Sequence, residues 1–343
     1  MLCRTFSSPE PTKKRSRILP VFIPFMGCPS RCVFCSQELQ SGTSCRPLDA
    51  VLREAAASLE NATTRAEQPL EIAFYGGTFT LLPLEDQLAC LALAARYKKL
   101  GLVTKIRAST RPDAVPPALC RTLAAEGLDM LELGVQSFSD AALGASNRGY
   151  TGETARQGCE TVQESGLELG IQLMPGMPGM DTLDFSRDWR TALTLAPRAL
   201  RLYPCLVLAN TPLAALYAAG EFTPWMLEDT VPQLADALLG AWRAGVPVIR
   251  MGLAPQDGLD DGGIVAGPHH PALGSMVRGL ALFRYIKEVT ADIAPLQTLR
   301  APKNVQGEFW GHKGALVGAY ESLGLQKNAV SFAEETAFIA EYQ

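Results

Sequence analysis

The sequence predicts an α/β fold, namely a partial (β/α)6 barrel with a C-terminal extension. Apolar runs of strand length alternate with segments of helical periodicity, and glycine or proline separates one segment from the next. Repeated strand–helix order is typical of a parallel sheet with right-handed crossovers. Six such units fit within residues 18–245, so we expect the barrel there and the C-terminal extension over residues 246–343.

The individual elements follow from the same patterns. The expected barrel strands are residues 19–25, 70–75, 103–108, 131–135, 167–174 and 200–207. The expected helices are residues 48–59, 83–100, 116–126, 154–165 and 182–195. After residue 246 the pattern changes to one more strand at 246–251, a glycine-rich stretch, and a helix at 276–288.

Composition and charge narrow the class of protein. The chain has 343 residues, 47% of them hydrophobic, and a net charge of −4, so a nucleic-acid partner would require a local basic patch. No apolar run approaches the roughly 20 residues that span a bilayer, and the N-terminus lacks a signal core. We therefore expect a cytoplasmic protein without a membrane association.

The nine cysteines indicate a reducing compartment, since an odd count in a long chain argues against a disulfide framework. Four of them fall within strand or helix patterns and are interpreted as core residues: Cys90, Cys120, Cys159 and Cys205. Cys3 and Cys45 fall in polar segments that we expect to be mobile, and they receive no role.

The remaining three cysteines, Cys28, Cys32 and Cys35, stand in GCPSRCVFCSQ directly after the first strand. Iron–sulfur clusters usually take four thiolates, so three cysteines would leave one iron open for chemistry. The alternatives are a zinc site completed by Cys45 or a histidine, a C-x-x-C redox pair, and a structural cluster. Active sites of barrels lie at the carboxyl ends of their strands, which favours a catalytic cluster.

This C-x-x-x-C-x-x-C pattern, with the aromatic Phe34 before its last cysteine, resembles the signature of the radical S-adenosylmethionine superfamily. The resemblance implies a 4Fe–4S cluster held by Cys28, Cys32 and Cys35, with the fourth iron chelated by S-adenosylmethionine. It also implies reductive cleavage to a 5′-deoxyadenosyl radical and an external electron donor such as flavodoxin or ferredoxin.

Two further motifs end the second and third strands. Gly76, Gly77 and Thr78 follow the second strand and read alone as a tight turn. They resemble the family motif that binds the methionine amino group, with Thr78 where the family often has glutamate. Ser109 ends the third strand, where its hydroxyl would suit a ribose, although the segment read alone is a helix-capping turn.

Gln136 ends the fourth strand in GVQS, and Arg148 follows a short helix. Read alone, Arg148 is a surface arginine, but its planar fork suits a carboxylate. The pairing resembles anaerobic coproporphyrinogen oxidases and the catalytic subunit of Elongator, in which these residues hold S-adenosylmethionine. An aspartate on the fifth strand of the oxidases holds the ribose, and the matching position here is Gln172.

The full set of motifs over about residues 18–250 resembles the radical domain of the Elongator catalytic subunit. This implies a short bacterial Elongator-like protein that modifies the wobble uridine of tRNA. About 90 residues follow the barrel, too few for the acetyltransferase domain of that subunit, so the acyl-donor step is not transferred. Two alternatives remain: a radical enzyme on a small molecule, such as a tetrapyrrole or an amino acid, and a non-catalytic cluster-bearing scaffold.

Basic residues near the two ends predict a surface for structured RNA. His269 and His270 are candidates to line the substrate mouth, although a loop histidine without a function is the simpler interpretation. The expected RNA contacts flank one mouth of the barrel and are Lys13, Lys14, Arg15 and Arg17 in an N-terminal arm with Lys303, His312, Lys313 and Lys327 in the tail. Solvated, flexible ends are the alternative.

Overall fold

The computed structural model describes residues 2–11, 17–65, 67–253 and 259–343. The strands are β1 (Leu2–Ser7), β2 (Arg17–Phe22), β3 (Leu70–Tyr75), β4 (Val103–Thr110), β5 (Met130–Gln136), β6 (Glu168–Leu173), β7 (Ala199–Leu202), β8 (Val207–Leu208), β9 (Val248–Met251), β10 (Ile264–Ala266), β11 (Leu296–Pro302), β12 (Val330–Ala333) and β13 (Ala337–Tyr342). The helices are α1 (Gln37–Ser41), α2 (Leu48–Thr64), α3 (Leu84–Lys99), α4 (Pro117–Ala125), α5 (Asp140–Ala145), α6 (Gly152–Glu164), α7 (Thr182–Thr194), α8 (Pro212–Ala218), α9 (Leu227–Arg243), α10 (Leu273–Val289), α11 (Gln306–Phe309) and α12 (Val317–Glu321).

Seven parallel strands form the barrel sheet, in the order β2-β3-β4-β5-β6-β7-β9. Successive side chains of a strand point to opposite faces, and on β5 Leu131, Leu133 and Val135 are fully buried on the helix side. The predicted α/β partial barrel with a C-terminal extension is confirmed. The strand expected after residue 246 is β9, which lies beyond the predicted boundary at 245 and completes this sheet. The division of the chain into two parts at that residue stays a prediction.

The sixth barrel strand is shorter than expected. The pattern predicted a strand over residues 200–207, but β7 ends at Leu202. Pro204 has no backbone N–H to donate to a neighbouring strand, which interrupts the ladder at this point. The chain resumes as β8, which pairs antiparallel with β10 in a separate two-stranded sheet.

The C-terminal extension contributes three strands to a four-stranded sheet in the order β1-β13-β11-β12, and the fourth strand, β1, comes from the N-terminal end of the chain. Strand β1 pairs antiparallel with β13, so Cys3 lies opposite Glu341 in an ordered strand. The expectation that Cys3 is in a mobile segment is therefore wrong. The pairing is fixed by Phe6, whose ring stacks on that of Phe338 with centroids 5.2 Å apart.

The four cysteines predicted to be core residues are confirmed: Cys90, Cys120 and Cys159 are fully buried, and Cys205 is 2% exposed. Burial raises the pKa of the Cys205 thiol to about 12, so this group is an inert part of the core. Among the residues that the structure describes, no helix is both long enough and apolar enough to cross a membrane.

Candidate active site

A cavity of about 1010 Å³ lies against the inner face of the barrel sheet. All of the residues that the sequence predicted for the cluster and the cofactor line it, namely Cys28, Cys32, Phe34, Cys35, Gly76, Gly77, Thr78, Ser109, Gln136, Arg148 and Gln172. They come from five strand ends and the loops after them, because the carboxyl ends of parallel strands meet at one edge of the sheet.

The inner face of the sheet is polar, which explains why the cavity is open. A closed β/α barrel fills its interior with layers of branched apolar side chains. Here Glu132 of β5 is 3% exposed and accepts from Arg107 of β4, with Nε to Oε1 at 2.8 Å, and from Arg201 of β7, with Nη1 to Oε2 at 2.7 Å. The hydroxyl of Tyr75 donates to the same carboxylate at 3.1 Å.

The cysteine loop begins with a turn in which Cys28 N donates to Phe25 O at 3.1 Å, and Phe25 has a φ of +59°. The Cys28 Sγ lies 3.5 Å from Thr78 Oγ1, so the first cysteine contacts the glycine motif of the next strand. Burial and the charges of Cys32 and Cys28 raise the pKa of Cys35 to about 12. Three thiolates in this loop would therefore repel one another unless bound cations offset their charge.

The turn after β3 requires glycine. Gly77 has a φ of +61°, and a Cβ at this position would lie 2.0 Å from Met26 O in the cysteine loop. Its N–H donates to Gln37 Oε1 at 2.7 Å, while Gln37 Nε2 lies 3.9 Å from Cys28 Sγ. The two loops are thus held together by backbone contacts that leave no room for a side chain.

Arg148 is 6% exposed and not the surface arginine of the simpler interpretation. Its Nη1 donates to Cys32 Sγ at 3.0 Å and its Nη2 to Gly134 O at 2.6 Å. The hydroxyl of Tyr150 accepts from Arg148 Nε at 2.9 Å. Burial works to lower the pKa of Arg148, but Tyr150 and Cys32 raise it above its ordinary value, so the guanidinium stays charged beside the cysteines.

Gln136 ends β5 with a φ of +67°, a conformation that non-glycine residues rarely adopt. Its side-chain Oε1 accepts from Gln172 Nε2 at 3.2 Å, so the two glutamines predicted from the sequence meet in the cavity. Strain of this kind concentrates at functional sites, where the surrounding structure holds it in place. A Cβ on Gly134 would lie 2.8 Å from Gln136 Nε2, so the glycine leaves space for the amide in this position.

Sequence reasoning missed Arg107, Glu132 and Arg201 on the cavity wall, and it also missed Gln37, Tyr150 and Asp188, which support the site. Asp188 is 1% exposed and accepts from Ser137 Oγ at 2.6 Å and from Phe138 N at 2.7 Å, which fixes the chain beyond Gln136. Burial raises the pKa of Asp188 to about 6. Only the polar character of an inward position on α7 signals this residue in the sequence.

The three histidines gather away from the predicted position. Among the described residues that line the cavity, neither His269 nor His270 is present. Instead, the ring of His270 lies 4.9 Å from that of His312. Leu273, close to His270 in the chain, packs near Gly252 at the end of β9, so this pair lies towards the cluster-bearing end of the sheet.

The prediction that the N-terminal arm flanks the same mouth is wrong for Arg17. Lys13, Lys14 and Arg15 lie outside the described residues. Arg17 begins β2 and forms an ion pair with Glu67, just before β3, whereas the cysteines follow the other end of β2. Six residues of strand separate the two ends by about 20 Å. In the tail, Lys303 is paired with Glu334 at 2.6 Å, and Lys327 is exposed.

The donors of the cysteine loop are not arranged as a site for a single ion. Within the described ranges, no three histidine, cysteine, aspartate or glutamate side chains are grouped to hold one metal ion. Cysteine ligands of a 4Fe–4S cluster each bind a different iron, so they need not converge on one point. The loop therefore fits a multi-iron cluster better than the zinc alternative.

Two family models match the chain. The radical SAM superfamily model matches residues 22–187, and the radical SAM C-terminal domain model matches residues 197–280. The first covers the cysteine loop, the glycine turn and Gln136 with Arg148, and the second begins just before β7 and ends within α10. Together they include all strands of the barrel sheet except β2, of which only the last residue, Phe22, is matched.

Similar proteins agree with these models. The chain is 30% identical over 196 residues to the tRNA uridine(34) acetyltransferase of Methanocaldococcus infernus. This aligned segment covers 50% of this chain and 36% of that protein. It is 28% identical over 197 residues to Elongator complex protein 3 of Homo sapiens, with the same coverage of 50% and 36%. The chain thus spans about a third of the length of these relatives.

Among solved structures, Elp3 of M. infernus with an N-terminal deletion superposes with a TM-score of 0.59 at 21% identity, over 80% of this chain and 64% of that one. This likeness shows a shared fold. Enzymes of the superfamily use a 4Fe–4S cluster and S-adenosylmethionine, and the cysteine loop and cavity fit both. The chain belongs to the radical S-adenosylmethionine superfamily and is related to the radical domain of the Elongator catalytic subunit.

Proposed function

We propose that Cys28, Cys32 and Cys35 bind three irons of the cluster, that S-adenosylmethionine occupies the cavity beside them, and that the substrate is a tRNA. The observation that carries the proposal is the convergence of the cysteine loop, the Gly76–Gly77 turn and buried Arg148 on one cavity. When bound, the cluster and S-adenosylmethionine supply a 5′-deoxyadenosyl radical after reduction by an external donor such as flavodoxin or ferredoxin.

The residues of this chain position the cofactor. Arg148 carries a permanent charge and a planar fork, which suits the methionyl carboxylate. The open turn at Gly76 and Gly77 leaves backbone groups accessible to the methionyl amino group, with Thr78 and Phe34 beside it. Gln136 and Gln172 each offer a donor and an acceptor, and with Ser109 they suit the ribose and adenine.

The choice of tRNA is supported by relatives whose names state tRNA uridine(34) acetylation. Because the chain spans only part of those proteins, the acetyl-transfer step is not included in the proposal. Positive side chains also lie towards the cluster-bearing end: exposed Arg31, which packs 3.2 Å over the Phe25 ring, and exposed Lys313, which follows His312 in the chain. Such groups would contact RNA phosphates there.

The deciding experiment is anaerobic reduction of the reconstituted protein with S-adenosylmethionine, with and without total tRNA. We expect 5′-deoxyadenosine to rise when tRNA is present and a modified uridine nucleoside to appear by mass spectrometry. If 5′-deoxyadenosine forms but no nucleoside changes, the superfamily chemistry stands and the tRNA substrate is rejected in favour of a small molecule. If no 5′-deoxyadenosine forms, the result favours the alternative of a non-catalytic cluster-bearing scaffold.

A further inference from the structure

We propose that Arg201 and Arg250 form a second ligand subsite in the cavity, which binds an anionic group of the substrate, a phosphate or a carboxylate. The inference goes beyond the proposed function, because it holds for a nucleotide of an RNA and for a small acidic molecule alike. Both classes present oxygen pairs that match the planar guanidinium fork.

The sheet register places the two arginines side by side. Arg201 of β7 and Arg250 of β9 are partners in the parallel ladder, and both line the cavity. Partners in neighbouring strands project from the same face of a sheet, so both side chains enter the cavity. Tyr203 lies on the same face, with its ring centroid 5.2 Å from the Arg201 guanidinium carbon.

The charge of the cavity favours an anion. Eight arginine or lysine side chains line it, and three of them, Lys105, Arg111 and Arg198, are paired with Asp113 or Glu168 outside the lining. The other five lie against two glutamates, Glu71 and Glu132. Those two glutamates are occupied by Arg107, which binds both, and by Arg201. A low-dielectric cleft lined by one sign of charge focuses its field on a ligand of the opposite sign.

Arg201 is held in place by contacts on one side and has an N–H donor without a partner among the described residues. Its Nη1 donates to Glu132, and its guanidinium stacks 4.6 Å from the Tyr75 ring centroid. Within the described part of the chain, its buried Nε has no hydrogen-bond partner. Buried polar groups without partners are uncommon, and each one calls for a ligand or another explanation. Arg250 is exposed, with Nε donating to Gly252 O at 3.4 Å, so its fork is accessible.

The subsite adjoins the residues proposed for S-adenosylmethionine. Tyr75 immediately precedes Gly76, and Gln172 is the ladder partner of Arg201 on the opposite side from Arg250. The cavity volume of about 1010 Å³ lies at the upper end of the range of about 300–1,000 Å³ for ligand pockets, and the same cavity includes both groups of residues. An anionic group bound here would tether a substrate within reach of the cofactor.

The test is calorimetric titration of the reconstituted protein, saturated with S-adenosylmethionine, with three probes: uridine 5′-monophosphate, neutral uridine, and citrate. We expect at least one anion to bind and uridine to bind at least tenfold more weakly than its monophosphate. Arg250→Gln should weaken the anion about tenfold or more, because a charge-assisted contact is lost. Binding of the monophosphate alone identifies a phosphate source, and binding of citrate alone identifies a carboxylate source.

The matched control is Arg187→Gln on the outer helix α7, an exposed arginine paired with Asp184, which should leave both affinities unchanged. Arg201→Lys serves as a second variant, since it keeps a charge for Glu132 and loses the fork; we expect weaker anion binding with the cluster absorbance retained. The proposal is overturned if neither anion binds the wild type, or if Arg250→Gln binds them with wild-type affinity.

Discussion

Removal of Arg148 separates cofactor binding from cluster binding. The side chain donates to Cys32 Sγ, Gly134 O and the Tyr150 hydroxyl, and no cluster iron requires it as a ligand. Loss of one charge-assisted hydrogen bond costs about 1.5–3 kcal/mol, so Arg148→Ala should weaken S-adenosylmethionine binding by roughly 10- to 150-fold. Arg148→Lys retains the charge but loses the planar fork, so its affinity for S-adenosylmethionine should lie between those of the wild type and Arg148→Ala.

The assay is calorimetric titration of S-adenosylmethionine into anaerobically reconstituted protein, with the iron–sulfur absorbance recorded for each sample. Arg156→Ala is the matched control, because Arg156 pairs with Glu153 and Glu160 on the outer surface of α6. Wild-type affinity in Arg148→Ala, with an intact cluster, would refute the assignment. Loss of the cluster in this variant alone would show instead that Arg148 supports the fold of the cysteine loop.

Three further predictions test the turn, the support of Gln136 and the RNA surface. Gly77→Ala should abolish S-adenosylmethionine binding, measured by titration, because its Cβ would lie 2.0 Å from Met26 O. Asp188→Asn should change the pH dependence of the urea midpoint. Burial raises the pKa of Asp188 to about 6, above its unfolded value of about 3.9, so the folded wild type takes up a proton as pH falls and gains stability relative to Asp188→Asn between pH 7 and pH 5. Lys313→Ala should weaken tRNA binding and lower the salt slope of the affinity by about 0.7–0.9.

Each of these variants has a matched control or a contrary result. Gly101→Ala places a Cβ at φ +78° with open space around it, so it isolates backbone strain from the steric clash of Gly77→Ala. Parallel pH profiles for wild type and Asp188→Asn would show that this carboxyl does not titrate as stated. Lys303→Ala is the control for Lys313→Ala, because Lys303 is already paired with Glu334. If the salt slope of tRNA binding falls equally in both variants, Lys313 has no special role.

The barrel and the convergence of the candidate site residues on one cavity were largely predictable because their signals are local. Each strand ends in a turn with its own chemistry, and parallel pairing alone brings those turns to one edge of the sheet. The Gly76–Gly77 turn and the cysteine loop follow β3 and β2 directly, so their meeting in the structure required no knowledge of distant contacts.

Contacts between distant segments were not predictable. Strand β1 pairs with β13 at the other end of the chain, and the short pattern at its residues gives no sign of a partner. The His270–His312 pair joins two loops that are far apart in the sequence, and hydrophobic periodicity carries no information about contacts between loops. Arg17 lies at the wrong end because it begins β2, whereas the cysteines follow the other end of that strand, and its charge alone carries no sign of chain direction.

The central claim is that three cysteines of one loop carry a cluster open to S-adenosylmethionine. The most direct measurement is iron and sulfide content with electron paramagnetic resonance of the reduced, anaerobically reconstituted protein, compared with the variant carrying Cys28→Ala, Cys32→Ala and Cys35→Ala together. We predict a 4Fe–4S complement in the wild type, with a signal that changes on addition of S-adenosylmethionine, and neither cluster nor signal in the variant. A full 4Fe–4S complement in the variant, or a wild-type signal insensitive to S-adenosylmethionine, would contradict the claim.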